Sequence, residues 1–305
     1  MQRNSDSVIL DGFERGEIDT GEAAIFARWS GSGPPILLLH GFPETHVMWR
    51  DVAPLLARDF TVVCADLRGY GQSGCPASSL DHAPYAKRAM ARDMVAVMEH
   101  LGFPRFSIAG HDRGGRVAYR LALDHPDRVE RIAVLDILPT ATVWKHADAR
   151  LALAYWPWTL LAQSEPLPER LIAASPDAIV DDAISGWGSA ANAFPLEVRD
   201  AYVDALRDPA HIHAICEEYR AAATLDREHD EEDMRSGRRI TCPLLALWSG
   251  SGPLGSWYAR LGGPVVLWRA LGDDVQGKAF DAGHFFPEEM PAETAAALGH
   301  FFHPT

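Results

Sequence analysis

The segment Gly110-His111-Asp112-Arg113-Gly114-Gly115-Arg116 sets a carboxylate at the centre of a turn flanked by glycines. A short apolar run, Phe106 to Ala109, precedes it, and Val117, Ala118, Leu121 and Ala122 follow at helical spacing. A strand that turns sharply into a helix needs small residues on both sides, and it leaves the tip residue strained and exposed. Here the tip is Asp112, whose carboxylate can attack carbon and form an ester. Turns rich in Gly and Asp are common, so the motif alone is a weak signal. Its weight comes from partners elsewhere in the chain.

An ester at Asp112 must be hydrolysed, which calls for a base to activate water and an acid to hold that base. His284, in a Gly-His turn late in the chain, is the candidate base among thirteen histidines. Two strand ends could supply the acid. The one at Trp248 runs into Ser249-Gly250-Ser251-Gly252-Pro253, and no Asp or Glu lies between Asp233 and Asp273. Asp136, after the run Arg131–Leu135, is therefore the acid by elimination, with local capping as its alternative. Arg113 and Arg116 flank the nucleophile one turn apart, so both can face one cavity. Surface ion pairing is the alternative for such arginines. Two guanidinium groups suit a substrate carboxylate and let it approach a second negative group, Asp112. A neutral substrate would not need them.

The surrounding elements must converge on Asp112. Ile36–Leu39 is a continuous apolar run bounded by turn residues, as expected of a strand buried on both faces. His40-Gly41-Phe42-Pro43 follows, and its N–H groups should lie beside the tip of the turn, a plain loop being the alternative. Further strands are expected over 60–65, 106–109, 131–135, 243–248 and 264–268. Helical spacing covers 85–100, with Met90, Met94 and Met98 as core filler, and 294–302. Asp66 to Ser73 is a Gly-rich loop without the Lys-Ser/Thr ending of a phosphate cradle. The alternation predicts an α/β chain with a mostly parallel, doubly wound sheet. Between 140 and 240 strand-like runs vanish, so residues 1–139 and 241–305 are expected to form the core and 140–240 an inserted helical cap. The acidic run Glu228–Asp233 is expected to be a solvated face of that cap.

Bulk properties narrow the partners. A net charge of −14 over 305 residues argues against nucleic acid and anionic membranes. A small anionic substrate therefore needs a local cationic pocket. The polar stretch Met1–Glu17 carries no apolar signal core, and no 18-residue apolar span occurs, so a soluble cytoplasmic protein is expected. The four cysteines form no Cys-x-x-Cys pair, and Cys64 reads as a small buried apolar residue. His211-Ile212-His213 lacks an obvious third ligand, so no metal is expected.

The set His40-Gly41-Phe42-Pro43, Gly110 to Arg116 and Leu135-Asp136-Ile137-Leu138-Pro139-Thr140 resembles the haloacetate dehalogenases, particularly the fluoroacetate dehalogenases, of the α/β-hydrolase fold. Tyr155-Trp156-Pro157-Trp158, Glu218-Tyr219-Arg220-Ala221, Asp274-Val275-Gln276-Gly277 and Gly283-His284-Phe285 extend the resemblance over nearly the whole chain. By that likeness Asp112 displaces halide from the α-carbon, His284 and Asp136 hydrolyse the ester, and Arg113 and Arg116 hold the carboxylate. The amides of Phe42 and Arg113 are then the oxyanion hole. Trp158 and Tyr219 match two of three halide-binding positions. The third, a His in the family, is Pro157 here, which has no side-chain donor. The likeness further implies a homodimer that uses no cofactor. Because fluoride is a poor leaving group, the missing donor predicts a preference for chloro- and bromoacetate. An epoxide hydrolase using Tyr155, Tyr202 or Tyr219 as the activating acid is the runner-up, and a non-catalytic ligand-binding relative the third reading.

Overall fold

The computed structural model describes residues 9–190 and 193–303, so the first eight residues of the polar N-terminal stretch lie outside the described residues. One sheet contains β1 (Glu14–Asp19), β2 (Ala24–Gly31), β3 (Pro35–Leu39), β4 (Thr61–Ala65), β5 (Phe106–His111), β6 (Val129–Leu135), β7 (Leu244–Ser249) and β8 (Val275–Phe280). Its spatial order is β1-β2-β4-β3-β5-β6-β7-β8. The β1–β2 and β2–β4 pairs are antiparallel, and every other pair is parallel. The chain moves outward from β3 to β4, then returns to place β5 on the other side of β3. That reversal is a switch point, and the loops leaving β3 and β5 diverge there to open a crevice. Both strands are apolar because helices cover both faces; Ile36 to Leu39 and Ile108 and Ala109 are fully buried.

Before β6 the helices are α1 (Ala53–Leu56), α2 (Lys87–His100) and α3 (Asp112–Asp124). Between β6 and β7 come α4 (Thr140–Lys145), α5 (Ala149–Ala154), α6 (Pro157–Leu160) and α7 (Leu167–Ala174). They continue as α8 (Pro176–Gly186), α9 (Leu196–Ala205), α10 (Pro209–Ala223) and α11 (Leu225–Ser236). After β7 are α12 (Pro253–Trp257), α13 (Gly263–Trp268), α14 (Phe286–Glu289) and α15 (Pro291–Phe302). Among the described residues no strand interrupts 140–240, and no helix is long and apolar enough to cross a membrane. Cys64 is fully buried in β4.

Two expectations fail. Residues 264–268 are helix α13, not a strand; Gly262 and Gly263 start it with left-handed φ values of 91° and 76°. The last strand is instead β8, whose inner residues Gln276 to Ala279 are exposed at the sheet edge. The acidic run is also not simply solvated. Asp226, Asp230 and Asp233 recur at i, i+4 and i+7 on one buried face of α11. Arg120 of α3 meets Asp230 at 2.8 Å and Asp233 at 2.5 Å, and the Tyr119 hydroxyl donates to Asp230 at 2.8 Å. The acidic face therefore fastens the helical segment to the sheet domain, and only Glu228, Glu231 and Glu232 face outward.

Candidate active site

Asp112 opens α3 immediately after β5, with φ +41°, a left-handed conformation that costs a non-glycine residue energy. The turn closes only because its neighbours lack side chains. A Cβ on Gly110 would sit 2.3 Å from the Gly114 carbonyl oxygen, and one on Gly114 would sit 2.5 Å from that of His40. Asp112 is strained as the sequence leads one to expect, but it is not exposed: the helical segment leaves it 8% accessible.

The Phe42 amide donates to Asp112 Oδ2 at 3.2 Å. Arg113, second in α3, has a backbone N–H with no acceptor inside the helix. Of the two amides named for the oxyanion hole, that of Phe42 meets this carboxylate, and that of Arg113 is the next along the chain. Burial opposes the charge on Asp112, yet His284, Arg113, Arg116 and His111 together hold its pKa below the ordinary carboxylate value. It is ionised at neutral pH, as an attacking group must be.

Asp136 directly follows β6, also at positive φ (53°), and accepts from His284 Nδ1 at 2.6 Å and from the Ser249 amide at 2.9 Å. The acid therefore reaches the imidazole from β6, and the acid-free end of β7 supports it with a backbone donor. The His284 backbone is pinned on both sides: its N–H donates to the Trp187 carbonyl at 3.0 Å, and its carbonyl accepts from His111 Nε2 at 2.9 Å.

His111 and its partner Glu44 escaped the sequence reading. Each ring nitrogen of His111 faces an acceptor, Glu44 Oε2 at 2.8 Å and the His284 carbonyl, so both nitrogens must carry protons. Burial works against that charge, but Glu44 and then Asp112 and Asp136 outweigh it, and the pKa is pushed up to about 9. A fixed imidazolium thus stands next to Asp112 in the chain. The only signal in the sequence was an acid three residues beyond Gly41.

Asp112, Asp136, His284 and Arg116 share one cavity of about 40 Å³, and Pro157, Trp158 and Tyr219 also reach it. Tyr155, Trp187, Trp257 and Tyr258 complete much of its wall. The last three lacked a recognised role in the sequence, although Trp187 between two glycines marks a bulky residue at a bend. Tyr202 is elsewhere: its hydroxyl donates to Glu288 at 2.9 Å, so it is no activating acid for this cavity. Pro157 is the first residue of α6 and is buried.

The two arginines differ. Arg116 is part of the cavity wall, its guanidinium carbon 4.4 Å from the Trp158 ring centroid. Its Nη1 donates to the Leu138 carbonyl at 2.9 Å and to Thr140 at 3.1 Å, and among the described residues no carboxylate pairs with it. Arg113 lies behind the wall, 4.0 Å from the Tyr219 centroid, and its Nε donates to Glu218 at 2.6 Å. Two of their buried nitrogens, Arg113 Nη1 and Arg116 Nε, have no acceptor among the described residues. His211 and His213 do not form a metal pair: one faces the Gly69 carbonyl and the other Ser78.

A doubly wound sheet carrying a strained acid at the β5–α3 turn, a histidine after β8 and a second acid bonded to it belongs to one architecture. The chain matches the α/β-hydrolase fold family over residues 34–289 and belongs to that family. It is 45% identical to a fluoroacetate dehalogenase of Burkholderia sp, covering 96% of this chain and 95% of that protein. It is 32% identical to a soluble epoxide hydrolase of Corynebacterium sp. (strain C12), over 90% and 92% of the two chains. Among solved structures, an α/β hydrolase of Nostoc sp PCC 7120 superposes with a TM-score of 0.92 at 48% identity, covering 96% and 99%.

Proposed function

We propose that this hydrolase removes halide from short 2-haloacids. Asp112 attacks the α-carbon, the carbon–halogen bond breaks, and the halide leaves with the bonding pair, giving an aspartyl ester. His284, oriented by Asp136, takes a proton from water, which adds to the ester carbonyl of Asp112. The resulting oxyanion is received by the Phe42 and Arg113 amides. Collapse breaks the ester C–O bond. The departing alkoxide takes the proton from the His284 imidazolium, giving a 2-hydroxy acid (glycolate from haloacetate), and the Asp112 carboxyl loses the remaining proton to solvent, restoring the carboxylate.

The observation that carries this reading is a pair of buried N–H donors without acceptors among the described residues, Arg116 Nε on the residue that forms part of the cavity wall and Arg113 Nη1 on the residue behind it. An unsatisfied buried donor costs about 1–3 kcal/mol, more when charged. A ligand carboxylate offers two oxygens to relieve two such donors. The small cavity, room for a few water-sized sites, also suits a molecule of haloacetate size. In this reading Trp158 and Tyr219 of the cavity wall receive the halide, and Pro157 leaves the third position without a side-chain donor. Chloro- and bromoacetate are therefore preferred over fluoroacetate. The reading includes no cofactor, an inserted cap over 140–240, a cytoplasmic setting and a homodimer, the last testable by sedimentation.

Halide release measured across fluoro-, chloro- and bromoacetate and 2-chloropropionate tests the substrate. Asp112→Asn should abolish turnover while acetate still binds. One turnover in ¹⁸O-water should put the label into the Asp112 side chain; label appearing directly in product would reject the ester. Tyr155 and Tyr219 in the cavity support a second reading, an epoxide hydrolase in which they protonate the opening ring. Turnover of styrene oxide without turnover of chloroacetate would favour it.

A further inference from the structure

Arg113 does not hold its place alone. Its Nε lies 2.6 Å from Glu218 Oε1 and its Nη2 3.5 Å from the Glu218 carbonyl, so one edge of the guanidinium is spent on a single residue of α10. Glu218 is fully buried, and every donor it meets comes from the sheet domain. Lys87, first in α2, donates to Oε1, and the Tyr70 hydroxyl donates to Oε2 at 2.7 Å. Lys87 in turn lies 3.6 Å from Asp226 of α11. A carboxylate stripped of water is tolerated only when its lone pairs are filled this completely. Arg113 and Lys87 overcome the burial penalty and keep the Glu218 pKa below its ordinary value.

The next residue, Tyr219, lays its ring over the same guanidinium at 4.0 Å and also reaches the cavity. One turn of α10 therefore fixes both the direction and the cover of Arg113. Among the described residues, Nη1 is the Arg113 nitrogen that remains without an acceptor. Among the described residues Arg116 has no such counter-ion, and its Nη1 is oriented by a carbonyl and a hydroxyl instead.

We infer that Glu218 is a positioning residue for the anion site: it clamps the Nε edge of Arg113 against Lys87 and Tyr70 and so aims Nη1 at the ligand carboxylate. This rests on the haloacid reading above, and it adds that α10 must be seated for the anion grip to form. It assigns Glu218 no contact with the reacting atoms. Its influence passes wholly through Arg113.

The test is a double-mutant cycle on acetate binding, a carboxylate that cannot react, measured by calorimetry. Glu218→Gln in the otherwise unaltered protein should weaken acetate by about tenfold or more, the range of a charge-assisted hydrogen bond. In an Arg113→Met background the same change should cost less than about twofold, since the group it serves is gone. Equal losses in both backgrounds, unchanged binding or tighter binding on Glu218→Gln would overturn the inference. Should Glu218→Gln fail to fold, Tyr70→Phe removes one of the three donors more gently. It should weaken acetate about threefold, again only when Arg113 is present, and no such dependence would overturn the inference. Acetate that fails to bind the unaltered protein would overturn the anion site and this inference together; binding that ignores residue 218 would overturn only this one.

Discussion

At position 157 the chain presents a ring without a side-chain donor to the cavity from which, on the proposed reaction, the halide departs. A donor that acts only on developing charge contributes roughly 10²–10³ in rate. Pro157→His should therefore speed fluoride release from fluoroacetate by a factor approaching that range, with a much smaller gain for chloroacetate. A halide electrode reads both; equal gains would place the halide preference elsewhere. His111 makes a second residue-scale prediction. Its folded pKa of about 9 lies above the ordinary 6.5, so its contribution to stability is full below 6.5 and shrinks as pH rises. It is gone once the pH passes about 9. The urea midpoint should fall across that window, and His111→Gln should flatten the fall. A midpoint that rises from pH 7 to 9 in the unaltered protein would show that the ring is neutral.

The element that matters most is α3, which carries the strained carboxylate at its tip, Arg113 and the cavity-wall residue Arg116 near its start, and Arg120 near its end. Gly114→Ala should prevent that helix from docking against the loop after β3, because the added carbon would meet backbone 2.5 Å away. We expect poor soluble yield and a lowered melting temperature, with no recovery of activity on cooling. Arg120→Met would leave buried Asp230 without its cation and Asp233 with only the more distant Arg238 at 3.6 Å. Removing one partner of a buried pair typically costs about 3–5 kcal/mol. Chemical denaturation measures the loss, and a change under about 1 kcal/mol would mean that the acidic face is solvated after all. The sequence made the central strands readable, since β3 and β5 are unbroken apolar runs between turn residues. It made the Asp112, Asp136 and His284 cluster readable through chain order and the absence of acids after β7. It hid β8, because Gln276 and Lys278 on an exposed edge leave no apolar pattern. It made α13 look extended, because a short run such as Val265-Val266-Leu267 has no period that distinguishes strand from helix. The role of α11 was present as the spacing of Asp226, Asp230 and Asp233, but their partner lies over a hundred residues away. The division between Arg113 and Arg116 depends on Glu218, a pairing that only tertiary structure creates.

For the molecule as a whole, a net charge of −14 sets the field that an incoming anion meets before it reaches the two guanidiniums. Repulsion between distant charges is screened by salt, with a Debye length of about 10 Å at 0.1 M. Raising the ionic strength from low values should therefore increase kcat/KM for chloroacetate modestly, while kcat stays level. A decrease would show that the arginines dominate even at long range. The distribution of labour across the sheet has a further consequence. The acid comes from β6, so the segment that follows β7 is relieved of chemistry, yet it supplies Pro253, Leu254, Trp257 and Tyr258 to the cavity. That stretch can mutate and reshape what the enzyme accepts while the reacting groups stay undisturbed. A lineage built this way can acquire new diets through drift in one loop, and libraries aimed at bulkier acids should begin there.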